Sequence, residues 1–155
     1  STVEGAGLHL DGKALEMTAC ATRGYAYLVQ LVGYRVFANA RRHADRDASI
    51  SLEDAQKGIE DAYGEFEGSV LDVALADLPL RAIEYLIAMA KHEGNVPTKE
   101  IAAGLSLPPA SLTATRRQLI KAQVIDAPSR GMVRFSIPLL REYLLKSSNE
   151  ILSRY

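Results

Sequence analysis

Between Asn95 and Pro138 the chain reads NVPTKEIAAGLSLPPASLTATRRQLIKAQVIDAPSRGMVRFSIP, two short helical patterns split by a double proline and followed by two β-rich runs. A Pro-Pro pair cannot continue a helix, and it pre-sets φ for the turn that follows. Pro108 and Pro109 therefore divide a helix over Lys99 to Leu105, with Thr98 as its cap, from a second helix over Ser111 to Gln123. On the second helix Leu112, Leu119, Ile120 and Gln123 fall on one side, leaving a small, polar and basic face of Thr113, Ala114, Arg117 and Lys121. Val124-Ile125 and Met132 to Ile137 read as strands, joined through Pro128, Ser129, Arg130 and Gly131, which supply turn chemistry and a positive tip. This order predicts a winged helix-turn-helix with a small β-hairpin wing. In such modules the second helix and the wing approach the major groove and phosphate backbone of double-stranded DNA. Arg116 and Arg134 add cations to the same helix and wing. The candidate nucleic-acid-binding residues are thus Thr113, Arg116, Arg117, Lys121, Arg130 and Arg134.

Charge follows the same division. Residues 1–77 carry 7 Lys+Arg against 13 Asp+Glu, a balance of −6, whereas residues 78–155 carry 11 against 6, a balance of +5. A basic half is what an electrostatic DNA footprint looks like, and it equally suits docking on an acidic protein surface. With 155 residues and 48% hydrophobic content the chain is long enough for two small cores. Ala, Leu and Ile recur at helical spacing, so the expected class is mainly α, with β structure confined to the wing. The expected organisation is a helical domain over 1–77, a winged-helix domain over 78–148 and a tail over 149–155.

Three helices are expected in the first half. One runs from Gly12 to Ala21 with Leu15 and Cys20 inward. A long one runs from Gly24 to Arg42, with Tyr25, Leu28, Val29, Val32 and Val36 as its apolar stripe and Tyr27, Leu31 and Tyr34 off it. After the polar loop HADRDAS, Ser51 with Asp54 resembles a capping box and Ile50 with Ala55 a hydrophobic staple, so the third begins near Leu52. It carries Ile59, Ala62, Phe66 and Val70, with a bend expected near Gly64 or Gly68. Pro79 suits the first position of a further helix carrying Ile83, Leu86, Ile87 and Ala90, and Leu139 to Ser148 reads as a closing helix.

Several chemistries find no footing. Cys20 is the lone cysteine, so the chain forms no internal disulfide, no Cys/His zinc motif is present, and a reducing cytoplasm is the expected compartment. His9, His43 and His92 are widely separated and share no ligand spacing, so neither a metal nor a catalytic residue is expected. The apolar stretch Ala19 to Ala40 contains Arg23, Gln30 and Arg35, which argues against a membrane span. Gly7 to Lys13 matches P-loop spacing, but Ala14 follows where a Mg-binding Ser or Thr belongs. The chain starts at Ser1 with a segment, STVEGAGLHL, that has no unit of its own, which points to a piece of a longer polypeptide.

The run TRGYAYLVQLVGYRVF followed by ISLEDAQKGIEDAY resembles the helical lid of an AAA+ ATPase. DLPLRAIEYLIAMA and the unit after it resemble the winged helix that follows the lid in bacterial relatives of the initiator and origin-recognition group. The resemblance implies a C-terminal fragment of an ATP-binding ATPase. Its lid would answer to ATP and Mg held by a nucleotide-binding domain elsewhere in the chain, its oligomers would form through the parent, and the fragment itself would bind no cofactor and be no enzyme. Arg23 and Tyr27 are then the lid residues that face the nucleotide domain. The family carries an Arg at the sensor-2 position, where this chain has Tyr27, and a Gly at the recognition-helix end, where it has Gln123. Two other readings stay open: a winged helix that serves as a protein-docking or autoinhibitory arm, and a free-standing winged-helix transcription regulator.

Overall fold

A computed structural model of the chain describes residues 9–10, 12–42 and 49–155. The chain is mainly α-helical and divides into two units, one reaching to Ser69 and the other running from Val70 to Tyr155. The first unit is a helical bundle of α1 (Gly12–Ala21), α2 (Ala26–Arg41) and α3 (Leu52–Phe66). Short strands β1 (His9–Leu10) and β2 (Ser49–Ile50) pair in parallel beside it.

Helix α3 starts where its local chemistry predicts. The Ser51 side chain accepts a hydrogen bond from the Asp54 amide at 3.1 Å and its hydroxyl donates to Asp54 Oδ2 at 3.0 Å. Ile50 and Ala55, the staple pair, are both fully buried. Ala55, Gly58, Ala62 and Phe66 then line the buried side of α3, facing Leu28, Leu31, Val32, Val36 and Ala40 of α2. Gly58 permits this approach: a Cβ built there would lie 2.5 Å from Val36 Cα. Buried Asn39 donates to Asp61 Oδ2 and to the Arg35 carbonyl, each at 3.0 Å. Arg35 pairs with Glu65 through both Nε and Nη2, and that bond raises the guanidinium pKa.

The inward faces of α1 and α2 differ from the sequence expectation. On α2, Tyr25 and Val29 are exposed and Leu31 is buried. A helix that is apolar around most of its circumference carries several near-equal stripes, and the path of α3 across it selects one. On α1, Ala14 and Ala21 are buried while Leu15 and Cys20 face outward, since small residues allow a closer approach to α3. Helix α3 runs unbroken through Gly64, and a π-helical segment, Glu67–Leu71, which contains Gly68, follows it and leads into α4 (Asp72–Ala76).

The second unit contains α5 (Leu80–Ala90), β3 (Val96–Pro97), α6 (Thr98–Gly104), a 3-10 turn Pro109–Leu112, α7 (Thr113–Lys121), β4 (Ile125–Asp126), β5 (Met132–Phe135) and α8 (Leu140–Leu152). The three strands form an antiparallel sheet in the order β3-β5-β4, which makes the wing. Val96 opposes Val133 across β3 and β5, so the wing is backed by a strand that the sequence did not announce. Pro79 stands one place ahead of its expected position, as the N-cap of α5. Thr98 is the first residue of α6 rather than its cap, and its amide donates to the Gly131 carbonyl at 2.9 Å. The second helix begins as a 3-10 turn at Pro109 and becomes α-helical only at Thr113.

Helix α7 ends on a residue without glycine's freedom. Gln123 has φ +60 and is exposed, whereas the sequence pattern placed it inward. Its amide donates to the Ile120 carbonyl at 3.0 Å and that of Val124 to the Leu119 carbonyl at 3.1 Å. These two bonds define a Schellman motif, closed by buried Leu119 and Val124. A left-handed non-glycine residue costs about 1–2 kcal/mol, against about 0.4–1 kcal/mol lost to glycine's freer unfolded chain. Gln123→Gly is therefore expected to stabilise the unit by roughly 0.5 kcal/mol, read as a higher urea midpoint at unchanged m.

Helix α8 extends to Leu152, beyond the expected end at Ser148, with Ile151 buried. Around it Tyr143 Oη donates to Asp72 Oδ1, Arg154 Nη1 donates to the same oxygen at 3.1 Å, and Tyr155 Oη donates to the Leu78 carbonyl. The residues expected as a tail are thus part of the second unit, as is Asp72, which the sequence assigned to the first.

Candidate nucleic-acid interface

Helix α7 shows its cations because its apolar residues are engaged in the core. Leu119 is fully buried, Leu112 nearly so, and the helix packs on α5. Ala114, Arg117, Gln118 and Lys121 form the exposed side, the i, i+3, i+4, i+7 set of one helical face. Arg117 and Lys121 stand one turn apart on it, and neither has a hydrogen bond or carboxylate partner among the described residues.

The wing adds a second positive element. Asp126 opposes Arg134 in the β4–β5 register, and the connecting loop exposes Pro128, Ser129 and Arg130. Gly131, at φ +74, lets the chain turn back, and the Met132 amide donates to the Ser129 carbonyl at 3.2 Å. Arg130 has no partner among the described residues. Arg134 does: its Nε donates to Asp126 Oδ1 at 2.7 Å across the strands. The pair offsets its own charge, which lowers what Arg134 offers an anion.

Thr113 and Arg116 are half-buried and belong to a different feature. With Tyr85, Thr98, Ala110 and Leu112 they line a cavity of about 190 Å³ between α5, the start of α6, the 3-10 turn and α7. Tyr85 is 1% exposed and its hydroxyl, wholly inaccessible to solvent, has no hydrogen-bond partner among the described residues. Burial pushes its pKa above the ordinary tyrosine value, and the Arg116 charge opposes that shift. A buried hydroxyl without a partner costs about 1–3 kcal/mol. Sequence reading passed over Tyr85 because a tyrosine within IEYLIAMA reads as core. The available signal was a phenol hydroxyl among the apolar residues of the helix's buried side.

The residues expected to face a nucleotide domain lie in the first unit. Tyr27 is 43% exposed; its ring packs at 6.0 Å on Phe66 and its hydroxyl lies 3.4 Å from Ser69 Oγ. Tyr25 meets Phe66 edge-on at 6.0 Å, and Tyr25, Val29 and Tyr34 are each exposed. Arg23, exposed at φ 48, borders a groove of about 500 Å³ with Cys20, Gln56, Glu60 and Tyr63. Of the P-loop-like stretch, Lys13 is exposed on α1, while Gly7 and Asp11 lie outside the described residues, as do His43 and most of the loop HADRDAS. Among the described residues no group of three or more His, Cys, Asp or Glu is placed to hold a metal, and no helix is long and apolar enough to cross a membrane.

Residues 68–144 match a family model described as Domain of unknown function (DUF8462). The matched stretch includes α7 and the whole wing. No curated protein and no solved structure matches the chain.

Proposed function

We propose that the second unit binds double-stranded DNA, with α7 toward the major groove and the wing along the phosphate backbone. The observation that carries this reading is the set of unpartnered, exposed cations Arg117, Lys121 and Arg130 on the two elements that such a module presents. Phosphate contacts position a protein on the duplex without reading its sequence, whereas base-edge contacts specify. Arg117, Lys121 and Arg130 take the first role, and the start of α7 at Thr113 and Ala114 takes the second. Arg134, already paired with Asp126, contributes least.

The first unit serves as the lid of an AAA+ ATPase, a cytoplasmic protein whose nucleotide-binding domain holds ATP and Mg. Tyr27 and Tyr34, exposed and seven positions apart on one side of α2, support this role, since exposed aromatic rings on one helix face suit packing against another domain. Tyr27 then contributes packing where the family uses a cation. Neither unit hydrolyses ATP by itself.

Duplex titrations over a range of salt test the DNA role. Changing Arg117 and Arg130 together to Ala is expected to weaken binding to unrelated sequences by a similar factor. The magnitude of the salt slope should fall by about one unit per lost phosphate contact. Absence of duplex binding by the unaltered protein at low salt overturns the DNA role in favour of a protein-docking arm.

A further inference from the structure

We infer that Asp126 sets the DNA affinity of the wing by competing with backbone phosphate for Arg134. This rests on the proposed DNA role and adds to it a residue that opposes binding. The strands fix the competition. Ile125 and Val133 are buried, so the alternation of side chains along β4 and β5 turns Asp126 and Arg134 to the other face of the sheet. The register sets the two directly across from each other, and Arg134 Nε donates to Asp126 Oδ1 at 2.7 Å. Both side chains are open to solvent, Arg134 at 52% and Asp126 at 45%, so an outside anion can reach the pair.

Arg117, Lys121 and Arg130 have no carboxylate partner among the described residues, whereas Arg134 has one. A phosphate contact gains affinity by releasing counterions held on the duplex, and that requires net positive charge. A guanidinium with a carboxylate at bonding distance has none to offer. To meet a phosphate, Arg134 must leave Asp126 or carry that negative charge against the phosphate's own. The pair is weak enough to be exchanged, since ion pairs with both partners exposed stabilise little. Asp126 therefore acts as a competing anion supplied by the chain itself. Because phosphate contacts carry no sequence information, its effect falls on every duplex alike.

The pair is first read by NMR without DNA. The Arg134 Nε–H is expected to be protected from exchange in the unaltered chain and to lose that protection in Asp126→Ala. An Nε–H equally unprotected in both overturns the inference, whatever the duplex does.

Duplexes of unrelated sequence are then titrated with the whole chain and its variants. One added phosphate contact steepens the salt slope by about 0.9, so Asp126→Ala should tighten binding about eightfold at about 0.1 M salt and about fourfold at about 0.2 M. The factor should be the same on each sequence. Changing Asp126 and Arg134 together to Ala removes competitor and cation at once, and should return binding to within about twofold of the unaltered chain. Asp77→Asn, which removes an exposed carboxylate elsewhere in the same unit, controls for net charge. Where Asp126→Ala does not fold, Asp126→Asn takes its place, with a gain of the same sign.

A gain that persists in the double variant, or that Asp77→Asn matches, overturns the inference. Weaker binding by Asp126→Ala does so too, since Asp126 would then orient Arg134 for the duplex. If the unaltered chain binds and Asp126→Ala binds no more tightly, the inference fails and the DNA role stands. If neither binds at low salt, both fail.

Discussion

Gly58→Ala is expected to destabilise the first unit by about 3 kcal/mol or more, although in most helices the same change is favourable by about 1 kcal/mol. The sign is set by where α2 crosses α3. A Cβ at residue 58 would lie 2.5 Å from Val36 Cα, 2.6 Å from Val36 N and 2.7 Å from Val36 Cγ2. Two of these atoms are backbone, so no rotamer change relieves the clash and the helices must separate. Separation would disturb the buried contacts of Leu28, Val32 and Phe66 together. Gly64 provides a matched control on the same helix: it is exposed, with nothing within 4 Å of a built Cβ. Gly64→Ala should stabilise by up to about 1 kcal/mol. Chemical unfolding of the two variants side by side checks the prediction, and a loss in Gly58→Ala no larger than about 0.5 kcal/mol would refute the close crossing.

Leu119→Ala is expected to cost the second unit about 2–5 kcal/mol, the range for deleting a fully buried leucine side chain. Leu119 is 0% exposed and holds α7 against α5; its carbonyl also accepts the Val124 amide that closes the helix. The cost should fall in the upper part of that range if the site does not collapse around the missing methyls. Arg117→Ala, on the opposite side of the same helix, should change stability by less than about 0.5 kcal/mol. Equal effects of the two changes would mean that the buried and exposed faces of α7 have been exchanged.

Legibility in the sequence follows how local each determinant is. The cap and staple of α3 involve residues 50 to 55 only, and the expected start at Leu52 is the observed one. The proline-divided pair of helices and the hairpin are local in the same way, and the winged helix-turn-helix is present in that order. What escaped depends on residues distant in sequence. Strand β3 is two residues long and ends in proline, so only its pairing with Val133 and Met132 reveals it. Tyr25 and Val29 were placed inward on α2 because their spacing is as good as that of Leu31, and only the path of α3 separates them.

The candidate site divides the same way. Arg117, Lys121 and Arg130 are exposed as their positions in the pattern imply. The pairing of Arg134 with Asp126 needed the cross-strand register, which a one-residue slip would have abolished. Arg116 and Thr113 line the cavity, beside a 3-10 turn from Pro109 to Leu112 that the sequence read as part of the helix or its lead-in. Tyr85 carried no motif, and its unmet hydroxyl becomes visible only when the helices around it are in place.

The ties at the end of α8 separate two definitions of a domain that usually coincide. Similarity to the matched family stops at residue 144, in the middle of that helix. The physical unit does not stop there, because Ile151 fills the core and Arg154 and Tyr155 reach back to Asp72 and Leu78. A polypeptide ended at 144 would keep the whole matched segment and lose a buried side chain together with both of those bonds. Asp72 would then retain Tyr143 as its bonding partner without the cation that balances its charge. The matched segment is thus shorter than the compact unit, and the difference is made up by residues that close a loop of about eighty residues.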